Sequence, residues 1–301
     1  MPTTLFIDST PDIDRVWKRV YGPGDPAITV NMGPVAEAAI PAAVAGYDTV
    51  INDATYFTEA TLAACPGLRH IVFLGTGAAS FVDLAAAARL GIKVSTIGGY
   101  GDTTVAEHAM GLVFAAARHI ADMHADVKAG GWRPRQGMEL SGKTLGIVGL
   151  GGIGREMARL GRGIGFETIA WNRSPLAEPL VPLVALGELL ERAHVVSLHL
   201  ALNDATRGFL DRAKLARLRP GAILVNTARA GIVDEAALVE RLRAGQLGHY
   251  ATDVFSHEPP SPDDPLLKLD NVTLTAHAGY NTPEAAMTMY RRAIDLAAKG
   301  V

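Results

Sequence analysis

The segment Thr144-Leu-Gly-Ile-Val148, followed at once by Gly149-Leu-Gly-Gly-Ile-Gly154, decides the fold predicted for this chain of 301 residues. An apolar strand leads into glycines spaced as G-x-G-x-x-G, and a helical pattern follows. Gly149 permits a tight turn, and Gly154 lets the helix pack closely on the strand. The segment therefore predicts a strand–turn–helix unit of the dinucleotide-binding type.

The same glycines carry a functional prediction. Gly151 lets the backbone approach a pyrophosphate, and the helix directs N–H groups and the positive end of its dipole at the phosphates. A plain structural turn is the alternative, but strand, spacing and helix occur together. The predicted phosphate-binding residues are Gly149, Gly151, Gly152 and Gly154.

The end of the next strand, Trp171-Asn172-Arg173-Ser174, predicts the cofactor type. An NAD site needs an Asp or Glu here to bind the ribose hydroxyls, and this sequence has none. Arg173 can form a forked contact with a 2′-phosphate, and Ser174 can donate a hydrogen bond to it. The sequence therefore favours NADP, with NAD as the alternative and with a solvated surface role as the other interpretation of Arg173. The predicted ribose-binding residues are Asn172, Arg173 and Ser174.

Short apolar runs alternate with amphipathic ones along the chain, which predicts an α/β protein with parallel sheets. The first predicted strands are Leu5–Ile7, Ala27–Val30, Thr49–Asn52, His70–Leu74 and Ile92–Val94. The later ones are Thr144–Val148, Thr168–Trp171, His194–Leu198, Ala222–Asn226, Tyr250–Asp253 and Val272–Thr275. Asp102–Asp126 is predicted to be one long helix. Pro283–Lys299 is predicted to be a helix that returns to the first domain.

Composition excludes several classes of function. Hydrophobic residues make up 49% of the chain, and 28 basic residues against 31 acidic ones give a net charge of -3. This balance provides no positive field for nucleic acid. We expect no membrane span and no signal peptide. Cys65 is the only cysteine, so no internal disulfide can form, which fits the cytoplasm.

Polar residues follow three of the later predicted strands. They lie in Asn226-Thr-Ala-Arg229-Ala-Gly-Ile-Val-Asp234-Glu235, in Asp253-Val-Phe-Ser-His-Glu258-Pro-Pro260, and in Thr275-Ala-His277-Ala-Gly279. With these segments the chain resembles the D-isomer-specific 2-hydroxyacid dehydrogenases, a family that includes glyoxylate/hydroxypyruvate reductases, phosphoglycerate dehydrogenases and D-lactate dehydrogenases. Further segments carry the resemblance: Val105-Ala-Glu107-His108, Leu140–Gly149 and Ser197–Thr206.

The resemblance implies a catalytic trio of Arg229, Glu258 and His277. Arg229 is expected to bind the substrate carboxylate and polarise the keto group. His277 is expected to give the oxygen its proton, or to act as base in the reverse direction. Glu258 is expected to orient the ring of His277 and to favour its charged form. The alternative for Arg229 is a helix-capping or surface cation. The alternative for Glu258 is an exposed loop acid, and for His277 a hydrogen-bonded histidine at a strand end.

The resemblance also implies binding residues outside the trio. The further cofactor contacts are Thr104, Ile153, Thr206, Thr227, Ala228, Asp253 and Gly279. Thr76, Gly77 and Ala78 form a turn in which backbone N–H groups meet the substrate carboxylate, together with Arg229 and His277; a plain tight turn is the alternative. His199 is expected to line the cofactor cleft without transferring protons. No zinc site is expected, because His257 has no second histidine at metal spacing.

The implied architecture has two domains. A flavodoxin-like substrate domain spans 1–98 and 282–301, and a Rossmann domain that binds NAD(P) is inserted at 99–281. The substrate is expected in a cleft between them, closed by a hinge motion. A homodimer that uses the long helix is also implied.

The predicted activity is reversible reduction of a small 2-keto acid of the glyoxylate/hydroxypyruvate class to the D-2-hydroxy acid. One alternative is oxidation of formate or phosphite on the same scaffold. The intact Glu258–His277 pair argues against it, because formate chemistry needs no proton donor to a carbonyl oxygen. The other alternative is a dinucleotide-sensing binding protein similar to the corepressors that share this fold.

Overall fold

The computed structural model describes residues Thr3–Gly300 and separates into two units. One unit contains Met1–Tyr100 and Asn281–Val301, and the other contains Gly101–Tyr280. The sequence placed these boundaries after residues 98 and 281. Two parallel sheets confirm the predicted α/β class, with one unit inserted into the other along the chain.

Strands and helices alternate in both units. The elements of the first segment are β1 Thr4–Ser9, α1 Pro11–Val20, β2 Ile28–Met32, α2 Ile40–Val44, β3 Thr49–Asn52, α3 Glu59–Ala63, β4 His70–Phe73, α4 Leu84–Arg89 and β5 Lys93–Thr96. Those that follow are α5 Asp102–Arg118, α6 Ile120–Lys128, β6 Thr144–Val148, α7 Gly152–Ile164, β7 Glu167–Trp171, α8 Leu186–Arg192, β8 Val195–Leu198, α9 Arg212–Ala216, β9 Ile223–Asn226, α10 Glu235–Arg243, β10 His249–Thr252, β11 Val272–Leu274 and α11 Pro283–Lys299.

The first unit has the flavodoxin-like strand order β2-β1-β3-β4-β5, and all its pairs are parallel. Successive strand residues face opposite sides, so each strand contributes to two cores. Leu5 and Ile7 pack in one core, while Phe6 packs with Trp17 and with residues of α11 in the other. The helix α11 therefore returns to the first unit, as the sequence predicted.

The second unit has the strand order β11-β10-β9-β8-β6-β7, again with parallel pairs. Beyond β7 the sheet continues only as an isolated bridge between Ala170 and Leu183. With that bridge counted as a reduced third strand and β6 as the first, the order is 3-2-1-4-5-6-7, which is the Rossmann order 3-2-1-4-5-6 with β11 added as a seventh strand. The chain changes direction across the sheet at β6, so the glycine turn lies at the topological switch point, where ligands bind in such sheets.

Both faces of the second sheet are covered, which explains why its strands are nearly continuous apolar runs. Leu145 and Ile147 of β6 pack on one face with Ala106 and Met157 of the helices α5 and α7. Val148 packs on the opposite face with α8 and α10. Because apolar side chains occupy both faces of the strands, polar chemistry is confined to the loops at the strand ends.

The prediction of one helix over Asp102–Asp126 is wrong. His119 has a left-handed conformation with φ 50° and separates α5 from α6. No Gly or Pro marks this break, and a non-glycine residue reaches this region only at an energetic cost. The His119 ring is half-buried against the rest of the unit: it lies edge-on to His249 with centroids 6.2 Å apart, and its Nδ1 is 3.7 Å from Asp122 in the first turn of α6.

Two positions in the turn require glycine, because backbone oxygens lie too close to leave room for a Cβ. Gly149 has φ 99°, and a Cβ at this position would lie 2.4 Å from the carbonyl oxygen of His199. A Cβ at Gly154 would lie 2.0 Å from the carbonyl oxygen of Gly149. Any side chain at 154 would therefore push α7 away from β6 and open the turn.

The turn yields a prediction about stability. We expect Gly154→Ala to lower the melting temperature by several degrees, because backbone must move to accommodate the methyl group and ~1–3 kcal/mol of strain results. Gly163→Ala is the matched control, since this position of the same helix has no atom within 4 Å of a Cβ. Differential scanning calorimetry of both variants tests the prediction. Equal melting temperatures would show that the turn tolerates a side chain.

Candidate active site

The predicted catalytic trio lies on loops that follow three adjacent strands of the second unit. Arg229 follows β9, Glu258 follows β10 and His277 follows β11. Asn226, Thr252 and Leu274, which end these strands, are paired in register. Because parallel strands lie about 4.8 Å apart, the three loops leave one edge of the sheet side by side.

Glu258 and His277 form a direct contact. The Nδ1 of His277 lies 2.6 Å from Oε2 of Glu258, and the backbone N–H of Phe255 donates to Oε1 of the same carboxylate at 2.9 Å. A carboxylate only accepts hydrogen bonds, so Nδ1 carries the proton in this pair. The other ring nitrogen, Nε2, is therefore the one available to exchange a proton. Both side chains are 37% exposed, which leaves the pair accessible to a ligand.

The backbone turn at 277–279 is held by Asp253, which directly follows β10. This residue is 2% exposed. Burial raises the pKa of Asp253, but hydrogen bonds from His108, from Thr275 and from the backbone at 278 and 279 outweigh burial and lower the pKa to about 2. Asp253 is therefore a buried carboxylate that stays ionised.

Arg229 is positioned through the backbone. The side chain of Asn226, fully buried at the end of β9, accepts from the N–H of Ala228 at 3.0 Å and donates to the carbonyl of Arg229 at 3.1 Å. Arg229 itself is exposed, and its Nη1 donates to the carbonyl of Ala228 at 2.7 Å. The backbone that carries the guanidinium is thus fixed at the edge of the sheet.

The glycine turn fits a dinucleotide pyrophosphate. No atom lies within 4 Å of a Cβ placed on Gly151, so the backbone is open at this point. The helix α7 has no side-chain cap and no acidic residue in its first turn, which leaves its N–H groups for an anion. Asp102 lies against Gly152, where a Cβ would be 1.9 Å from its Oδ2. Gly152 is therefore required by this close approach, whereas the backbone at Gly151 is open.

A second feature of the same edge also fits a cofactor. The hydroxyl of Thr227, in the loop after β9, is buried and has no hydrogen-bond partner among the described residues. Such a group costs free energy unless a ligand or water completes its hydrogen bonds. Its position one residue after the strand is where the sequence places a cofactor contact. Together with the open turn, this unsatisfied hydroxyl indicates that the residues fit a bound dinucleotide.

The predicted ribose-binding residues follow β7. The side chain of Asn172 accepts from the N–H of Leu150 at 3.1 Å and donates to the carbonyl of Ser174 at 2.8 Å. Asn172 therefore ties the glycine turn to the end of β7. Arg173 and Ser174 are exposed beside it. No carboxylate stands at the end of this strand.

The remaining predicted cofactor residues lie on the same unit. Thr206 donates to the carbonyl of Ala201 at 2.6 Å and accepts from the N–H of Asn203, so its hydroxyl braces its own loop. Burial lowers the pKa of His199 to about 4, which keeps the ring neutral near pH 7. The other predicted cofactor residues are Thr104 on α5, Ile153 on α7, Ala228 in the loop after β9 and Gly279 in the loop after β11.

The predicted substrate turn belongs to the first unit. It follows β4, where Gly75 has φ 133° and accepts from the N–H of Ile97 at 2.8 Å. Thr76 is exposed, Gly77 is half-buried and Ala78 is 2% exposed, so the side chain of Ala78 anchors the turn in the core. The N–H groups of Thr76 and Gly77 make no backbone hydrogen bond within Thr3–Gly300. They are suited to an anion.

Three site residues were not assigned a role from the sequence. Asn226, His108 and Thr275 all occur within segments that carry the family resemblance, but their hydrogen bonds join parts of the chain that are far apart. Asn226 and Thr275 gave one local signal, since each is a polar residue at the end of a predicted strand. Nothing local indicated the partner of Thr275, because its pairing with His108 spans 167 positions.

The side-chain clusters and the helices of the structure bear on other functions. Over Thr3–Gly300, no cluster of three or more His, Cys, Asp or Glu side chains has an arrangement suited to a metal ion. None of the helices in that range is both long enough and apolar enough to cross a bilayer.

Comparisons with known proteins agree with this arrangement. A family model described as the NAD-binding domain of D-isomer-specific 2-hydroxyacid dehydrogenases matches residues 110–279. The hydroxypyruvate reductase of Thermotoga maritima is 39% identical over 241 residues, which are 78% of this chain and 78% of that protein. The crystal structure of the TT0316 protein from Thermus thermophilus is similar with a TM-score of 0.84 and 32% identity, covering 97% of this chain and 94% of that one.

Another relative is longer. The D-3-phosphoglycerate dehydrogenase of Archaeoglobus fulgidus is 37% identical over 246 residues, which are 80% of this chain but 46% of that protein. The chain thus spans about half the length of this relative. The match of the family model to more than half of the chain, and the similarity to the hydroxypyruvate reductase over most of both proteins, show that the chain belongs to the D-isomer-specific 2-hydroxyacid dehydrogenase family.

Proposed function

We propose that this protein reduces small 2-keto acids to D-2-hydroxy acids with NAD(P)H, and that the reaction is reversible. The observation that carries the proposal is the contact of 2.6 Å between His277 and Glu258. This acid–base pair lies at the same edge of the sheet as the glycine turn and Arg229. A proton donor, a fixed cation and a dinucleotide turn are the groups that keto-acid reduction requires.

Each residue of the trio has one task in this proposal. The nicotinamide, when bound, supplies the hydride. Arg229 binds the substrate carboxylate and stabilises the negative charge that develops on the keto oxygen. His277 donates a proton to that oxygen from Nε2, the nitrogen that Glu258 leaves available. Glu258 holds the ring through Nδ1 and favours its charged form before the transfer.

For the substrate we propose glyoxylate or hydroxypyruvate. The similarity to the hydroxypyruvate reductase supports this class. We also propose that the N–H groups of Thr76 and Gly77, in the turn that ends with Ala78, bind the substrate carboxylate. The similarity to a phosphoglycerate dehydrogenase makes 3-phosphohydroxypyruvate the competing substrate.

Two other functions remain as outcomes of the test. Oxidation of formate transfers a hydride but protonates no carbonyl oxygen, so it needs no proton donor such as the Glu258–His277 pair. A dinucleotide-sensing protein would bind the cofactor and turn over none of these acids. The position of the pair at the cofactor edge favours the dehydrogenase.

For the cofactor we propose NADP in preference to NAD. Arg173 and Ser174 are exposed at the end of β7, and the adjacent Asn172 fixes this end to the glycine turn. The absence of a carboxylate at this strand end removes repulsion of a 2′-phosphate, and the guanidinium can bind that phosphate with two hydrogen bonds.

We also propose a cytoplasmic homodimer. Large apolar side chains are exposed on α5, on α6 and in the loop after them: Phe114, Ile120, Val127 and Trp132. Trp132 is 85% exposed. A second copy of the chain would cover this surface, and symmetric dimers are the commonest assembly. The single Cys65 is buried as a free thiol, which suits a reducing compartment.

The first prediction concerns His277. We expect the unmutated protein to oxidise NADPH with glyoxylate or hydroxypyruvate, and His277→Ala to lower kcat by ~10²–10⁴-fold with cofactor binding retained. Absorbance at 340 nm measures turnover, and nicotinamide fluorescence measures binding. His257→Ala, an exposed histidine beside Glu258, is the control and should keep full activity.

This assay also separates the competing functions. Activity with 3-phosphohydroxypyruvate but not with glyoxylate or hydroxypyruvate would show that the phosphorylated acid is the substrate instead of the two proposed ones. Reduction of NADP by formate or phosphite would support the hydride-transfer alternative, and binding of NADPH without turnover of these donors or of the three acids would support the sensing protein. Near-normal activity of His277→Ala would remove this histidine from proton transfer.

The second prediction concerns Arg173. We expect Arg173→Ala to weaken NADPH binding by ~10-fold or more, through loss of a charge-assisted pair, and to leave NADH binding unchanged. Arg173→Asp should in addition improve NADH binding, because a carboxylate can accept from the ribose hydroxyls. Isothermal titration with both dinucleotides measures these effects. Equal affinity of the unmutated protein for NADPH and NADH would contradict the assignment.

A further inference from the structure

Asp253 binds three consecutive backbone N–H groups of the turn that carries His277. Its carbonyl oxygen accepts from the N–H of His277 at 2.9 Å. Its Oδ1 accepts from Ala278 at 2.9 Å, and its Oδ2 accepts from Gly279 at 2.8 Å. One residue thus fixes the direction of the backbone at 277–279.

Two more side chains complete this arrangement, which we call the Asp253 clamp and define as Asp253, Thr275 and His108. The hydroxyl of Thr275 lies 2.6 Å from Oδ1 of Asp253 and 2.9 Å from Nε2 of His108. The same Nε2 is 3.3 Å from Oδ1. The clamp therefore joins the helix α5, through His108, to the ends of β10 and β11.

The protons of the clamp can be assigned from donor and acceptor capacity. The ionised Asp253 only accepts, so the single hydroxyl proton of Thr275 points to Oδ1. The oxygen of Thr275 must then accept from His108, which requires a proton on Nε2. His108 donates, Thr275 relays and Asp253 accepts. Loss of the hydroxyl would remove both contacts of Thr275 at once and leave His108 with its longer contact of 3.3 Å to Asp253.

The turn needs to be held because its conformation is unfavourable. His277 has φ 50°, in the left-handed region that a non-glycine residue adopts only at an energetic cost. The turn also approaches the carboxylate so closely that a Cβ at Gly279 would lie 3.0 Å from Oδ2 of Asp253. Without the clamp, the backbone of His277 would relax toward an ordinary region and the ring would leave Glu258.

We propose that Thr275 and His108 are positioning residues for the acid–base pair: through Asp253 they hold the turn in which His277 meets Glu258. This inference rests on the proposed function for its effect on turnover. Its effect on the protonation of His277 is independent of the reaction. The roles are distinct from a cofactor contact of Asp253, since the relevant hydrogen bonds all lie within the chain.

The fold contains a matched pair that serves as control. On β11, two residues before Thr275, the hydroxyl of Thr273 lies 2.9 Å from Nε2 of His249. Both members are buried, and His249 begins β10. This pair has the same chemistry as the contact between Thr275 and His108. It has no hydrogen bond to Asp253 or to the 277–279 turn.

The experiment compares Thr275→Val, Thr275→Ser and Thr273→Val in the full chain with NADPH. In Thr275→Val we expect kcat with glyoxylate or hydroxypyruvate to fall by ~10-fold or more, with the Kd for NADPH changed by less than about 2-fold. The NMR resonance of the proton on Nδ1 of His277, identified by its loss in His277→Ala, should be weakened or lost in the same variant. Once the bond to Glu258 is loosened, this proton exchanges with water more freely.

The control variants decide whether the effect is specific. Thr275→Ser keeps the hydroxyl and should restore both kcat and the Nδ1 proton resonance. Thr273→Val should lower the melting temperature by a similar amount and leave both readouts unchanged. If Thr275→Val changes only the melting temperature, as Thr273→Val does, the clamp is structural and the proposal is wrong.

The two readouts keep this proposal separate from the proposed function. Loss of the Nδ1 proton resonance in Thr275→Val, in a protein that reduces none of the acids, would support the clamp and reject the reaction. Active protein in which Thr275→Val changes neither this resonance nor kcat would support the reaction and reject the clamp. His108→Ala should weaken the resonance less, because Thr275 can still donate to Asp253.

Discussion

A buried negative charge, the carboxylate of Asp253, organises the functional edge of the second unit. An ionised carboxyl group taken out of water costs several kcal/mol unless hydrogen bonds replace its hydration. The chain supplies those donors from α5, from the residue after β11 and from the 277–279 turn. These segments are therefore held together by the need to satisfy one charge. The left-handed conformation of His277 and its contact with Glu258 both follow from it.

In the rest of the unit, the strands and the loops have different roles. The strands are apolar on both faces and fix positions by packing, while residues just past their ends carry the polar groups. Asn226 braces the loop of Arg229, Asp253 braces the turn of His277, and Asn172 braces the glycine turn. In each case a side chain at a strand end bonds to the backbone of a functional loop. This use of rigid strands explains how three exposed loops keep defined geometry without a metal ion or a disulfide among the described residues.

Much of this arrangement could be predicted from local patterns. The apolar run before Gly149 and the glycine spacing identified β6, the turn and α7, because the backbone restrictions that select glycine act over a few residues. The strand runs and α11 were found for the same reason. The break at His119 was missed, because neither a glycine nor a proline marks it in the sequence. The clamp was missed because Asp253, Thr275 and His108 meet only after the chain has folded. The roles of the predicted site residues stay predictions.

The central claim is that Nε2 of His277 gives the proton to the keto oxygen while Arg229 binds the same small acid. The most direct measurement is a crystal structure of the protein with NADP and oxamate, a stable analogue of a 2-keto acid. The account predicts Nε2 of His277 and the guanidinium of Arg229 within hydrogen-bond distance, about 3 Å, of the bound oxamate. An oxamate bound by Arg229 with Nε2 of His277 directed away from it, and with Glu258 no longer on Nδ1, would contradict the account.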